Sequence, residues 1–272
     1  MSEQIQPSEI KSRPLPPYLG LLAVDVKDST RLPSVQQAPL SRAVTDIVHR
    51  GLELAGLGEM RREFESNTGD GLAFGFDPSW LPLVISPFSD VLDTVLQRHD
   101  AGTRPRIRLR MSIHVGPVPL APGLPGDGNA APRSETHRLL DSDAARRALA
   151  EADEDGTHLV VIVSDAVHRT VVLGGYCALA PSRFTEVQAE VKNFSQTAWI
   201  YVPSPSGGLL RRPITHSTPT NGPTQEAEGD ATAGRRPTHT RIQHVDCGVA
   251  IMDSTLRDVH QHGVPRQGRE SS

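Results

Sequence analysis

Cysteine is almost absent from this chain. Cys177 and Cys247 are the two it has in 272 residues, far apart and at no metal-ligand spacing. That scarcity excludes a disulfide framework and a cysteine-based zinc site, and it fits a reducing compartment. Aromatic residues, at 4%, and hydrophobic residues, at 37%, are few for a chain that packs along its whole length. No apolar run is long enough to span a bilayer. The stretch from Met1 to Pro17 is polar and proline-rich, without the apolar core of a signal peptide. Neither sign of charge dominates. A net charge of −4 gives no electrostatic reason to expect nucleic acid as a partner. The sequence reads as a cytoplasmic protein with no membrane segment. What it has in quantity is Gly and Pro, 23 of each, so part of the chain is expected not to pack.

The periodic segments concentrate in the first three quarters. Residues 1–17 read as a disordered leader. Tyr18 to Val26 reads as a central strand, apolar on both faces. Leu40, Val44, Ile47, Val48, Gly51 and Leu54 recur at helical spacing, and Gly56 or Gly58 supplies the expected C-cap. Met60 to Ser66 and Leu72 to Phe76 flank the turn signal Asn67-Thr68-Gly69-Asp70-Gly71 and predict a hairpin. Val84, Phe88, Val91, Leu92, Val95 and Leu96 predict a second helix. Arg106 to Val115 alternates strictly between polar and apolar, which predicts a strand with one face of each kind. Arg106, Arg108 and Arg110 most simply form a solvated face, and lining a phosphate groove is the second reading. A Pro/Gly-rich loop precedes a third helix, from about Arg133 to Ala152. Leu159 to Val163 is an apolar strand, and Glu186 to Val191 with Thr197 to Val202 form a closing pair.

This order predicts an α+β fold of the ferredoxin-like, split βαβ kind, in one domain over residues 18–203. Residues 204–272 are rich in Pro, Thr, Gly and Ser and read as a linker and tail, mostly disordered. Within that tail, Val245 to Val259 reads as a short strand or a peptide for a protein partner.

Two carboxylates stand out. Asp25 interrupts the apolar run Leu21-Leu22-Ala23-Val24-Asp25-Val26, where a buried, unpaired charge is expensive. Asp70 sits at a hairpin tip, where a carboxylate is cheap. Alone, Asp25 is as well explained by a structural hydrogen bond, and Gly69-Asp70-Gly71 by a turn. Brought together, the two form an oxygen-ligand site for Mg²⁺ or Mn²⁺, usual partners of a nucleoside triphosphate. His49, His137 and His168 have no ligand spacing, and His114 reads as a packed strand residue.

Four segments occur in an ordered series. They are Leu22-Ala23-Val24-Asp25-Val26-Lys27-Asp28-Ser29-Thr30, Gly69-Asp70-Gly71-Leu72-Ala73-Phe74, Arg108-Leu109-Arg110-Met111-Ser112-Ile113-His114-Val115-Gly116-Pro117-Val118 and Arg138-Leu139-Leu140. Together they resemble the catalytic domain of class III nucleotidyl cyclases, the adenylate and guanylate cyclase family, over residues 18–203. The resemblance implies a homodimer with active sites at the subunit interface and two metal ions per site. It implies conversion of a nucleoside triphosphate to a 3′,5′-cyclic nucleotide and pyrophosphate. By this resemblance Asp25 and Asp70 are the metal aspartates, and Ser29 and Thr30 belong to the loop around the phosphates, where helix N-termini favour anions. Arg138 is the arginine that stabilises α-phosphate charge.

The pattern also departs from the family. Ser66 stands where the family has a base-reading Lys or Glu. Ser134 stands where a helical Asn orients the ribose, one turn before Arg138. Ala130 replaces the glycine that opens the motif. A second register, Asn129 with Arg133, loses the Leu-Leu anchor and places Pro132 between them. Lys192 lies near the position of a phosphate-facing lysine. Read without the family, Arg138 is a helix-surface arginine paired with Glu135 or Asp141. Two further readings stand beside the cyclase: a cyclase-fold nucleotide sensor without turnover, and a dimerisation platform for the tail.

Overall fold

The computed structural model describes residues 12–102 and 106–210. Cys247, the segment Val245 to Val259 and most of the expected leader and tail lie outside them.

Seven strands form one mixed sheet in the order β2-β3-β1-β4-β5-β7-β6. They are β1 (Tyr18–Val26), β2 (Glu63–Asn67), β3 (Gly71–Phe76), β4 (Leu109–Pro117), β5 (Leu159–Ser164), β6 (Thr185–Val191) and β7 (Phe194–Tyr201). The helices are α1 (Ser34–Leu54), α2 (Leu81–Ile85), α3 (Phe88–Gly102), α4 (Ala131–Leu140) and α5 (Asp143–Glu151). The first four strands have the expected split βαβ order, with β1 antiparallel to both β3 and β4. β5 adds in parallel to β4, and the β6–β7 hairpin closes the edge.

The sequence predicts most of these elements because their periodicity is strong. α1 ends at Leu54, and Gly56 follows in the left-handed region at φ 77°. Two predicted helices are each divided. The second splits into α2 and α3 at Ser86-Pro87, because proline cannot continue a helical hydrogen-bond ladder. The third splits into α4 and α5 at Asp141 and Ser142, where the Ser142 side chain accepts from Ala145 N (3.3 Å) and starts a new helix.

Each face of the sheet is covered. Leu22, Val24, Phe74, Met111 and Val161 pack with Val44, Phe88 and Leu92 in a core under α1, α2 and α3. The opposite face carries three smaller apolar groups, around Leu139, Ala145, Ile162 and Ala198, around Ala23, Ala73 and Leu140, and around Leu19, Leu21 and Val118. Packing continues to Leu209, past the expected boundary at residue 203. Thr157 Oγ1 donates to Ser204 O (2.6 Å) and Ser204 Oγ to Asp93 (2.7 Å).

The predicted solvated face of β4 is a buried one. Arg108 is 5% exposed and Arg110 9%, and Ser112 and His114 beside them are buried too. Strict alternation separates two faces of a strand but does not say which of them meets water. Here α4 and α5 cover the polar one.

Candidate functional site

Asp25 lies near the end of β1, on the face under α4 and α5, directly opposite Gly71 on β3 and Arg110 on β4. Directly opposed side chains on one face are in reach of each other. The Arg110 guanidinium takes both Asp25 oxygens, Nε donating to Oδ1 at 2.9 Å and Nη2 to Oδ2. Such a fork is a strong, charge-assisted pairing. Burial nevertheless pushes the Asp25 carboxyl up to about 7, against the pull of Arg110, and the Asp141 and Asp70 charges push the same way.

Asp70 reaches the same place from the hairpin tip. Two glycines hold that turn. Gly69 takes φ 98°, and a Cβ on Gly71 would lie 2.0 Å from Val24 O, so only glycine lets the hairpin meet β1 this closely. Val26 N donates to Asp70 O (3.1 Å), and the Ser29 hydroxyl donates to Asp70 Oδ2. Ser29 and Thr30 fall in a short turn of helix behind Asp28, which adopts the left-handed region at φ 59°.

These residues line one cavity of about 410 Å³, bounded by Asp25, Asp70, Ser29 and Thr30, with Lys27, Arg110, Asp141 and Arg146 around it. A neighbouring cavity, also about 410 Å³, shares Ser29, Thr30 and Asp70 and is lined by Gln37, Ser41 and Thr68. The donor set of the first cavity is all oxygen and suits a hard divalent ion. Magnesium that travels with a nucleotide uses only one or two protein carboxylates, the remaining places going to water and phosphate. Asp25 and Asp70 fit that mode. Among the described residues no group of three or more ligating side chains occurs.

The other expected site residues lie elsewhere. Ser134 and Arg138 are exposed on α4, and Arg138 rests over the Phe194 ring at 5.6 Å. It pairs with neither expected carboxylate, because Glu135 is taken by His114 (3.2 Å) and Asp141 by Arg146 (2.7 Å). Lys192 sits in the turn between β6 and β7 at φ 51°. Ser66, on β2, accepts from Arg133 Nη2 (3.2 Å), and the Arg133 guanidinium lies 5.1 Å over the Phe64 ring. The arginine of the rejected register, not Arg138, therefore meets Ser66 within one chain. His114 is packed as expected. His49 pairs with Glu65 at 2.9 Å, and His168 stacks on Trp199 at 3.7 Å.

Sequence reading gives Asp141 and Arg146 no cavity role, and offers Arg110 a place in a phosphate groove only as the second reading. Arg110 was in view as part of the alternating run, but its partner stands 85 positions away and depends on strand register. Asp141 and Arg146 carried no signal, since their place depends on the break between α4 and α5.

No family model matches the chain, and no curated protein matches it. Solved structures do. The chain is similar to the adenylate/guanylate cyclase/hydrolase from Silicibacter pomeroyi, at 21% identity over 69% of this chain and 97% of that one (TM-score 0.46). It is similar to the catalytic core of a rhodopsin-guanylyl cyclase with converted specificity, in complex with ATPαS, at 12% identity over 70% and 97% (TM-score 0.46). It is also similar to the monomeric guanylyl cyclase domain of the RhoGC fusion protein from the aquatic fungus Blastocladiella emersonii, at 12% identity over 67% and 94% (TM-score 0.45).

Proposed function

We propose that the domain is a nucleotidyl cyclase, converting a nucleoside triphosphate to a 3′,5′-cyclic nucleotide and pyrophosphate, with each active site completed by a second copy of the chain. One observation carries the reading. Asp25 from a central strand, Asp70 from a hairpin tip, and Ser29 and Thr30 from the loop after β1 converge on one cavity. Asp25 is a carboxylate held in an apolar strand, and the hairpin brings a second one, Asp70, to the same space of ligand size.

Asp25 and Asp70 would hold Mg²⁺ or Mn²⁺, two per site, and bound metal neutralises phosphate charge and lowers the pKa of an attacking hydroxyl. Ser29 fixes the orientation of Asp70 through its hydroxyl. Arg110 offsets the charge of Asp25. Ser29, Thr30 and Lys27 line the side of the cavity that receives phosphates. In the second copy, Arg138 would stabilise charge on the α-phosphate, Ser134 would bond the ribose and Lys192 would add a phosphate contact. Ser66, with Arg133 on it, stands at the base position, so base choice rests on neutral hydrogen bonding beside a guanidinium.

The test is incubation of the full chain with each of the four ribonucleoside triphosphates and Mn²⁺, with chromatographic detection of cyclic product. Asp70→Asn and Arg138→Ala should each abolish product. Mixing the two variants should restore a fraction of it, because a mixed dimer has one intact composite site. Product that persists in Asp70→Asn overturns the assignment. No product from any base, with metal-dependent nucleotide binding that Asp25→Asn removes, would instead favour a sensor without turnover.

A further inference from the structure

We infer that Arg133 on α4 reads the nucleotide base. Together with the Ser66 hydroxyl it offers only hydrogen-bond donors, which select guanine or uracil over adenine and cytosine. This rests on the cyclase reading above, which sets Ser66 at the base position, and it names the residue that supplies there the charge serine lacks.

The surroundings of Ser66 are specifically shaped. Phe64 adopts φ 38°, a region that bulky side chains rarely enter, where the pairing of β2 with β3 shifts register between Glu63 and Ser66. Such a bulge re-aims the side chains of its strand. The Phe64 ring lies where two glycines leave room for it: a Cβ would come within 2.6 Å of the ring at Gly75 and within 2.5 Å at Gly128. The Arg133 guanidinium lies over that ring, 5.1 Å from its centre, in a cation–π contact. Backbone strain persists only where the surroundings enforce it, and it gathers at sites that need a fixed geometry. What the strained residue fixes here is a guanidinium beside Ser66.

Arg133 is also a cation without an anion. Among the described residues no carboxylate pairs with it. Its two hydrogen bonds go to neutral oxygens, Nη1 donating to Asp127 O and Nη2 to Ser66 Oγ, each at 3.2 Å. A guanidinium has five N–H groups and no acceptor, so three remain to be used. Ser66 accepts from Arg133 and keeps its own proton to donate. His137, in the same cleft, is held below the usual histidine range by burial and by Arg133, so it adds no second charge at neutral pH. The base edge that meets these donors then decides affinity. Guanine offers adjacent O6 and N7 acceptors and uracil offers O4, whereas adenine and cytosine place an amino group, itself a donor, at the corresponding position. Donors set against donors leave both sides unpaired, which rejects the wrong base.

Equilibrium titration of the full chain in Mn²⁺ tests this, with GTP, UTP, ATP and CTP as probes and inorganic tripolyphosphate as the probe without a base. The wild type should bind GTP, UTP or both about tenfold more tightly than ATP and CTP, the size of one charge-assisted hydrogen bond. GTP above UTP would support reading of N7 as well as O6, and UTP at or above GTP would support reading of the carbonyl alone. Arg133→Gln, whose amide both donates and accepts, should bring the four nucleotides within about twofold of one another and leave tripolyphosphate within about twofold of the wild type. Ser66→Ala should narrow the preference by less. Uniform weakening of all five probes in Arg133→Gln would make the arginine structural and overturn the inference. A wild type that prefers ATP or CTP, or treats the four alike, overturns it too, as does an Arg133→Gln variant that keeps the wild-type order. If it is overturned in any of these ways while Asp70→Asn still loses every probe, the metal site stands. If the wild type binds none of the five, both readings fall.

Discussion

The two faces of the central sheet are made by alternate residues of the same strands, yet they are held by different physics. Under α1 to α3, β4 presents Leu109, Met111 and Ile113 to a continuous apolar core. Under α4 and α5 it presents Arg110, Ser112 and His114, with Arg108 just before the strand, and all four are buried. These side chains bond to particular partners: Leu149, Ala152 and Thr157 carbonyls, Asp25, the Thr136 carbonyl and Glu135. Apolar contacts are non-directional and forgive substitution, whereas each buried polar group depends on one geometry. The cavity lies on the polar face, where Asp25 and Arg110 are held together.

The sharpest way to break the comparison is to remove one partner on each face. Arg110→Met leaves Asp25 buried with no counter-charge and should cost about 3–5 kcal/mol near neutral pH. Adding Asp25→Asn to it should recover much of that loss. Leu92→Ala on the other face should cost about 2–5 kcal/mol, the range for a cavity in an apolar core, and no polar substitution should rescue it. Denaturant titration checks all three variants. Failure of the Asp25/Arg110 double variant to regain stability would show that Arg110 acts by packing and not by charge.

The faces should also differ in their response to pH. Burial raises the Asp25 carboxyl from 3.8 to about 7 in the folded chain. Between those values the folded chain keeps a proton that the unfolded chain has released. The contribution of Asp25 to stability therefore falls as pH rises through that window, and the proposed metal binding, which needs the carboxylate, should tighten over the same range. The stability difference between wild type and Asp25→Asn, measured from pH 4.5 to 7.5, should become less favourable to the wild type. A flat difference would mean that Arg110 keeps Asp25 ionised throughout. Leu92→Ala should be offset from the wild type by a constant amount at every pH.

The smallest effect is expected where the polar run leaves the fold's interior. Arg106, half-exposed and paired with exposed Asp155, belongs to the same alternation as Arg108 and Arg110. Arg106→Ala should change stability by about 0–1 kcal/mol, as exposed pairs do. A loss as large as that of Arg110→Met would mean that burial is not what separates them.

Much of the fold was legible because hydrophobic periodicity is local. The period of 3.6 in α1 and of 2 in β4 is written in consecutive residues, and glycines mark the hairpin around Asp70. The site was half legible. Asp25 was conspicuous because a carboxylate contradicts its apolar neighbours, and Asp70 because its turn chemistry is explicit. Arg110 looked like one of three similar arginines, and only the pairing of β1 with β4 distinguishes it. Arg146 was hidden for another reason: its place depends on Ser142 ending one helix and starting the next, a local competition that periodicity alone reads as one continuous helix.

By itself, then, the sequence determined which segments are strands and helices, which residues alternate, and that two aspartates sit at a strand end and a turn. These follow from propensity, spacing and backbone sterics. The tertiary structure alone decided that the polar side of β4 is buried, that Arg110 rather than solvent answers Asp25, and that α5 brings Arg146 to the cavity. Those outcomes depend on register and on which helix covers which face, and residues far apart in the chain settle them through burial and charge.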